Sequence, residues 1–243
     1  VERRVENITV ALSILASVQL LLLGTGLHAG LQIVSDDPKK IRLPLPARVI
    51  LSLSLLLSAL LIALSLHCPV GWLIFVGMIL SFFGDMFNAA VIPLPVPRLG
   101  GMAAFGIAHP FYITAYYYLL KPTGSLASPY FLLLLAAVWL STAISWALFV
   151  RNPETRPILN VGSLIYALLL GTAVAFAFMI ALKLGGWWWS VFTGALLFYI
   201  SDTIIGLADF GGAALKRPHL WIWLTYVPAQ MGIIYGIWLG STM

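Results

Sequence analysis

Two aspartates stand inside otherwise apolar runs, Asp85 in FFGDMFNAA (82–90) and Asp202 in FYISDTIIG (198–206). An ionised carboxylate in hydrocarbon costs several kcal/mol or more, so acids at such positions face a bundle interior or a wet cavity and mark function. Two carboxyl groups brought together where water is scarce do not both ionise easily. One keeps a proton while the other carries the charge. That division puts a general acid and a general base in one site, which suits hydrolysis of an acid-labile bond. The pair titrates as a unit, so the sequence leaves both assignments of acid and base open.

Other polar residues share the apolar runs. His109 is followed by Pro110, and it either pairs with an aspartate or satisfies backbone groups freed by the proline. Asn88 lies one turn after Asp85 on the same helical face, where it orients that carboxyl group or bonds a neighbouring helix. Tyr112, Tyr166, Tyr226 and Gln230 complete the candidate set, each tyrosine equally suited to packing. Asp209 closes its run and is expected in solvent. Two Asp and one His make a poor zinc set, and Cys68 is the only cysteine, so neither a metal nor a cofactor is expected.

These residues need elements to hold them. The chain has 243 residues, 61% hydrophobic and 9% charged, with a mean hydropathy of +1.02, which no ordinary soluble domain reaches. A helical span takes roughly 20 mostly apolar residues. Eight such stretches are read, at about 8–27, 48–66, 70–92, 101–120, 130–150, 160–182, 187–208 and 222–240. They are continuous rather than alternating, which excludes transmembrane strands. The expected fold is all-α, a polytopic integral membrane protein forming one bundle of eight transmembrane helices as a single domain over 1–243. The first stretch follows Arg3 and Arg4 but lacks a small-residue cleavage site, so it is read as a membrane helix and not a signal peptide.

At about 1.5 Å per residue, Asp85, Asp202, His109, Tyr226 and Gln230 fall at similar depths below one face, on the order of 6 to 12 Å. Trp187, Trp188, Trp189, Trp221 and Trp223 open the last two spans as interfacial anchors do. Gly232, Gly236 and Gly240 form a ridge for close helix packing. Lys39, Lys40, Arg42, Arg48, Arg98, Arg151, Arg156, Lys216 and Arg217 fall on the face of the deep acids, against Arg3, Arg4, Lys121 and Lys183 opposite. The positive-inside rule puts the nine-residue face in the cytoplasm and both termini outside. The net charge of +5 is scattered over short loops, which points to membrane lipids as partners and excludes nucleic acid.

The combination FFGD, AAFGIAHPFYI (103–113), Tyr166, GALLFYISD (194–202) and TYVPAQ (225–230) resembles the YhhN-like lysoplasmalogenase family from Val70 onward. The first two spans carry no matching motif. Asn88 and Pro110 depart from the family pattern. The resemblance implies an integral membrane hydrolase that cleaves the vinyl ether bond of a lysolipid substrate with water, giving a fatty aldehyde and a glycerophospho-ethanolamine or -choline. It makes Asp85 and Asp202 the catalytic candidates, with His109, Asn88, Tyr112, Tyr166, Tyr226 and Gln230 binding substrate around them. The membrane would be the plasma membrane in a prokaryote or the endoplasmic reticulum in a eukaryote. An intramembrane aspartyl protease would also use a membrane Asp pair, but Phe82 occupies the position of the second glycine in such a motif. A proton-coupled transporter would use the acids as a relay, yet no pair of broken helices stands at matching positions.

Overall fold

The computed structural model describes residues 2–37, 40–154 and 156–242, with side chains from Val5 onward. Lys39 and the side chains of Arg3 and Arg4, counted above for orientation, lie outside the described residues. Among the described residues there is no strand. The helices are α1 (Glu2–Leu31), α2 (Leu45–Leu66), α3 (Pro69–Asn88), α4 (Pro97–Leu120), α5 (Pro129–Ser145), α6 (Pro157–Leu184), α7 (Trp188–Asp209) and α8 (Pro218–Thr242).

Proline sets most of the starts. It occupies the first or second position of α2, α3, α4, α5 and α6 and the first of α8, where its missing N–H leaves no bond unmade. The helix α5 passes into one π turn over Trp146–Val150. The apolar stretch expected to run to Ile92 stops at Asn88, where Ala90 turns left-handed at φ 56° ahead of a proline-rich connection. Asp85 therefore lies only about 4.5 Å from its helix end by rise.

The helix α3 packs along α4 and α7 along α8, while α6 touches α4, α5 and α7. The α3/α4 pair is close because glycines face rings. A Cβ at Gly77 would come within 2.5 Å of the Tyr112 ring, and one at Gly84 within 2.6 Å of Phe105. On α7 and α8 the backbones themselves meet, with Gly194 and Gly232 facing each other. The expected glycine ridge on α8 is thus a packing seam.

Among the described residues, seven of the eight α-helices are long and apolar enough to cross a membrane; α4 is not one of them. Four tyrosines, His109, Pro110 and Arg98 dilute its hydropathy. Its other flank is protein, since Ala104, Phe105, Ala108, His109, Tyr112, Ala115 and Tyr116 are all buried. The polar residues among them face protein, and the opposite face, with Leu99, Ala103, Ile107 and Tyr118, is exposed, so only part of the helix needs an apolar surface. The tryptophan expectation also needs correction. Trp187, Trp189 and Trp221 are exposed, but Trp188 turns inward over Gly240 and Trp223 lies edge-on to Tyr226, 5.7 Å between centroids.

Candidate active site

A cavity of about 740 Å³ opens among the C-terminal ends of α3, α5 and α7 and the N-terminal ends of α2, α4, α6 and α8. Neighbouring helices in the chain therefore run in opposite directions around it. Its volume is typical of small-ligand sites. Asp85, Tyr166, Asp202 and Tyr226 line it together, so both aspartates face one space. The two carboxyl groups are within electrostatic reach of each other.

Asp85 is buried. Its Oδ2 accepts the Ser52 hydroxyl at 2.6 Å and the Tyr226 hydroxyl at 2.9 Å. Tyr226 in turn receives Gln230 Nε2 at 3.3 Å, and Gln230 is wholly buried. Asp202 accepts the Tyr166 hydroxyl through its own Oδ2. Each carboxyl group is thus held by a tyrosine from another helix, α8 for Asp85 and α6 for Asp202. Hydrogen bonds to a carboxylate are among the stronger ones in proteins.

The expected single level of polar residues resolves into two. His109, Tyr112 and Gln230 do not line the cavity; they pack beneath it. Tyr112 bonds Ser81 at 2.9 Å and donates to Met78 Sδ at 3.2 Å. His109 is buried with its Nδ1 on the Phe105 carbonyl at 2.8 Å. Its ring lies edge-on to Phe198 at 5.0 Å and to Tyr112 and Tyr166 at 5.7 Å. It is therefore a packed support under Tyr166 and not a partner of either acid. The carbonyl that Pro110 deprives of its N–H is that of Gly106, so His109 does not cap that one either.

Asn88 sits exposed on the rim, packed so closely over Gly101 that no Cβ would fit there. It is aimed at the start of α4 and not at Asp85. Asp209, expected in solvent, is instead largely covered and ion-paired with Arg98 across the mouth, α7 to α4. Among the described residues no three His, Cys, Asp or Glu side chains group so as to hold a metal ion.

Two residues around Asp85, Ser52 behind it and Arg48 on the cavity wall, escape a reading of the sequence. Ser52 is a small polar residue in a long apolar helix, indistinguishable there from Ser54 or Ser58. Arg48 looks like a loop charge, yet it lies inside α2 and lines the cavity within electrostatic reach of Asp85. The one signal is their spacing, since four residues place both on one helical face.

The chain belongs to the YhhN family, which it matches over residues 46–237. No curated protein and no solved structure matches it. Membership supports a multi-pass membrane protein, and a hydrolase.

Proposed function

We propose that this chain is a lysoplasmalogenase, hydrolysing the vinyl ether of a single-chain lipid by shared work of Asp85 and Asp202. The observation that carries this reading is the placement of both aspartates on one cavity, each held by a tyrosine of another helix. The seven apolar helices, with α4 as an eighth span beside them, would set that cavity at the depth of a lysolipid's first chain bond. Its rim would face the cytoplasm by the excess of Lys and Arg on that side.

A vinyl ether hydrolyses when an acid protonates the carbon β to oxygen, which leaves an oxocarbenium ion. Water adds to the carbon bearing the oxygen and gives up a proton. The hemiacetal then collapses to aldehyde and alcohol. Asp85, with two hydroxyl donors and Arg48 nearby, is best equipped to stay a carboxylate, because bonds to the charged form favour it. It would steady the cation and take the proton from water, as one carboxylate does in glycosidases. Asp202, with the Tyr166 hydroxyl, would deliver the first proton; when the hemiacetal collapses it would take the hydroxyl proton, while Asp85 returns its own proton to the leaving glycerol oxygen.

The aspartyl protease reading has no specific observation behind it. The transporter reading lacks its hinge, since Pro110 and Pro228 lie within continuous helices. The test is to incubate purified protein in detergent or liposomes with a lysoplasmalogen. Aldehyde and glycerophospho-ethanolamine should appear in equal amounts; no aldehyde above a protein-free control would end the proposal.

A further inference from the structure

The cavity carries more positive charge than holding Asp85 as a carboxylate accounts for. Arg42, Arg48 and Arg98 line the same cavity, and Arg42 is close enough to repel both of the others. Like charges on a wall of low dielectric repel strongly unless an anion joins them. Arg98 has one in direct contact, Asp209, whereas Arg48 feels Asp85 only from a distance, with no ion pair between them. Arg48 is half-buried, and its buried Nε has no hydrogen-bond partner within the protein. A guanidinium donor left unmade in a cavity is costly, and phosphate oxygens are the ligands its planar fork fits best.

Register supplies a length. Arg48 precedes Ser52 by one turn on the same face of α2, about 6 Å nearer the rim, and Ser52 holds the Asp85 carboxyl group. In a glycerophospholipid five bonds separate the sn-1 ether oxygen from phosphorus, roughly 6 Å when extended. A vinyl ether set against the aspartates would therefore place its phosphate beside Arg48. The basic residues Arg151, Arg156, Lys216 and Arg217 border this face of the chain but do not line the cavity.

We infer that Arg48, with Arg42 beside it, forms a phosphodiester subsite that selects alkenyl lipids bearing an anionic phosphate one glycerol unit from the scissile bond. The inference rests on the vinyl ether reading of the aspartates. The aspartate floor and the arginine rim would then measure the glycerol between them.

Two substrates test it on the full chain, a lysoplasmalogen with a phosphoethanolamine headgroup and the matching 1-alkenylglycerol without phosphate. Wild type should favour the first at least tenfold in kcat/KM, Arg48→Gln should bring that ratio near one, and Arg48→Lys should restore part of it. Equal turnover of both by wild type, or an unchanged ratio in Arg48→Gln, overturns the subsite and leaves the hydrolase standing. Binding of a non-cleavable 1-alkyl lysophospholipid to Asp202→Asn, followed by the fluorescence of the cavity residues Trp146 and Trp223, gives a second readout. Adding Arg48→Gln should weaken it about tenfold, and inorganic phosphate at matching concentration should not compete. Competition by phosphate would mean that the site takes a free anion, which overturns selection of a lipid headgroup. Binding that depends on Arg48 in a protein releasing no aldehyde from either lipid would instead remove the hydrolase reading and keep the subsite.

Discussion

Tyr226 donates its hydroxyl to Asp85 Oδ2 at 2.9 Å across a sequence separation of 141 residues, joining α8 to the end of α3. Tyr166 does the same for Asp202 from α6. The two bonds are not equivalent. Removing Tyr226 leaves Ser52 on Asp85, whereas removing Tyr166 strips the one hydroxyl that Asp202 receives among the described residues. Asp202 becomes a carboxylate as it gives up its proton, and a hydrogen bond to a charged group contributes about 1.5–3 kcal/mol, while each 1.36 kcal/mol is tenfold in rate. Tyr166→Phe should lower aldehyde release about 10- to 100-fold, and Tyr226→Phe by less. Steady-state kinetics on the two variants, with unchanged melting temperature in each, checks the order.

The rings beneath the cavity are placed by glycines. Phe105 lies against Gly84 and meets Phe198 and Tyr226 edge-on at 5.8 and 5.9 Å. Gly84→Ala drives a methyl group into that ring, and Gly77→Ala does the same to Tyr112. Overpacking of this kind costs about 1–3 kcal/mol. Both variants should melt earlier in detergent, and Gly84→Ala should also slow turnover by displacing Tyr226. Gly24→Ala on α1, where nothing stands within 4 Å, should melt no earlier than wild type.

The positions of the helices were legible because eight apolar runs are separated by prolines and charges. The end of α3 was not, because IPLPVP (92–97) is apolar in composition while its prolines and the left-handed Ala90 forbid a helix. Asp85 and Asp202 stood out by cost alone. Ser52 did not, since a serine in a membrane helix usually bonds its own backbone, as Ser54 and Ser65 do here. His109 was visible as a polar residue, but which way its ring points depends on the rotation of α4 about its axis. That rotation is set by Gly77 and Gly84 on the facing helix.

A second buried polar cluster lies away from the cavity. Gln19, wholly buried on α1, donates to Ser58 at 3.2 Å and accepts the Tyr235 hydroxyl at 2.8 Å, while Ser58 and Tyr235 meet at 3.0 Å. The triad ties α1 to α2 and α8. Hydrogen bonds between membrane helices are worth about 0.6–2 kcal/mol. Gln19→Leu should lower the melting temperature by a few degrees and speed hydrogen exchange in α1. Aldehyde release should stay near wild type, because none of the three residues lines the cavity.

Asparagine tests the aspartates most sharply. It keeps the size and hydrogen-bonding reach of the side chain but can neither deliver a carboxylic proton nor carry the charge that steadies an oxocarbenium ion. Asp85→Asn and Asp202→Asn should each cut turnover by about 10²–10⁴, the usual range for loss of a proton-transfer group. Neither should melt earlier than wild type, since an amide is less costly than a carboxylate in a poorly solvated cavity. The double variant should lose little more than either single one, because two members of one proton-transfer unit do not act additively. Aldehyde release and melting temperature for the three variants decide the matter. Activity surviving in either single variant, or lost only with unfolding, would remove the two-aspartate mechanism.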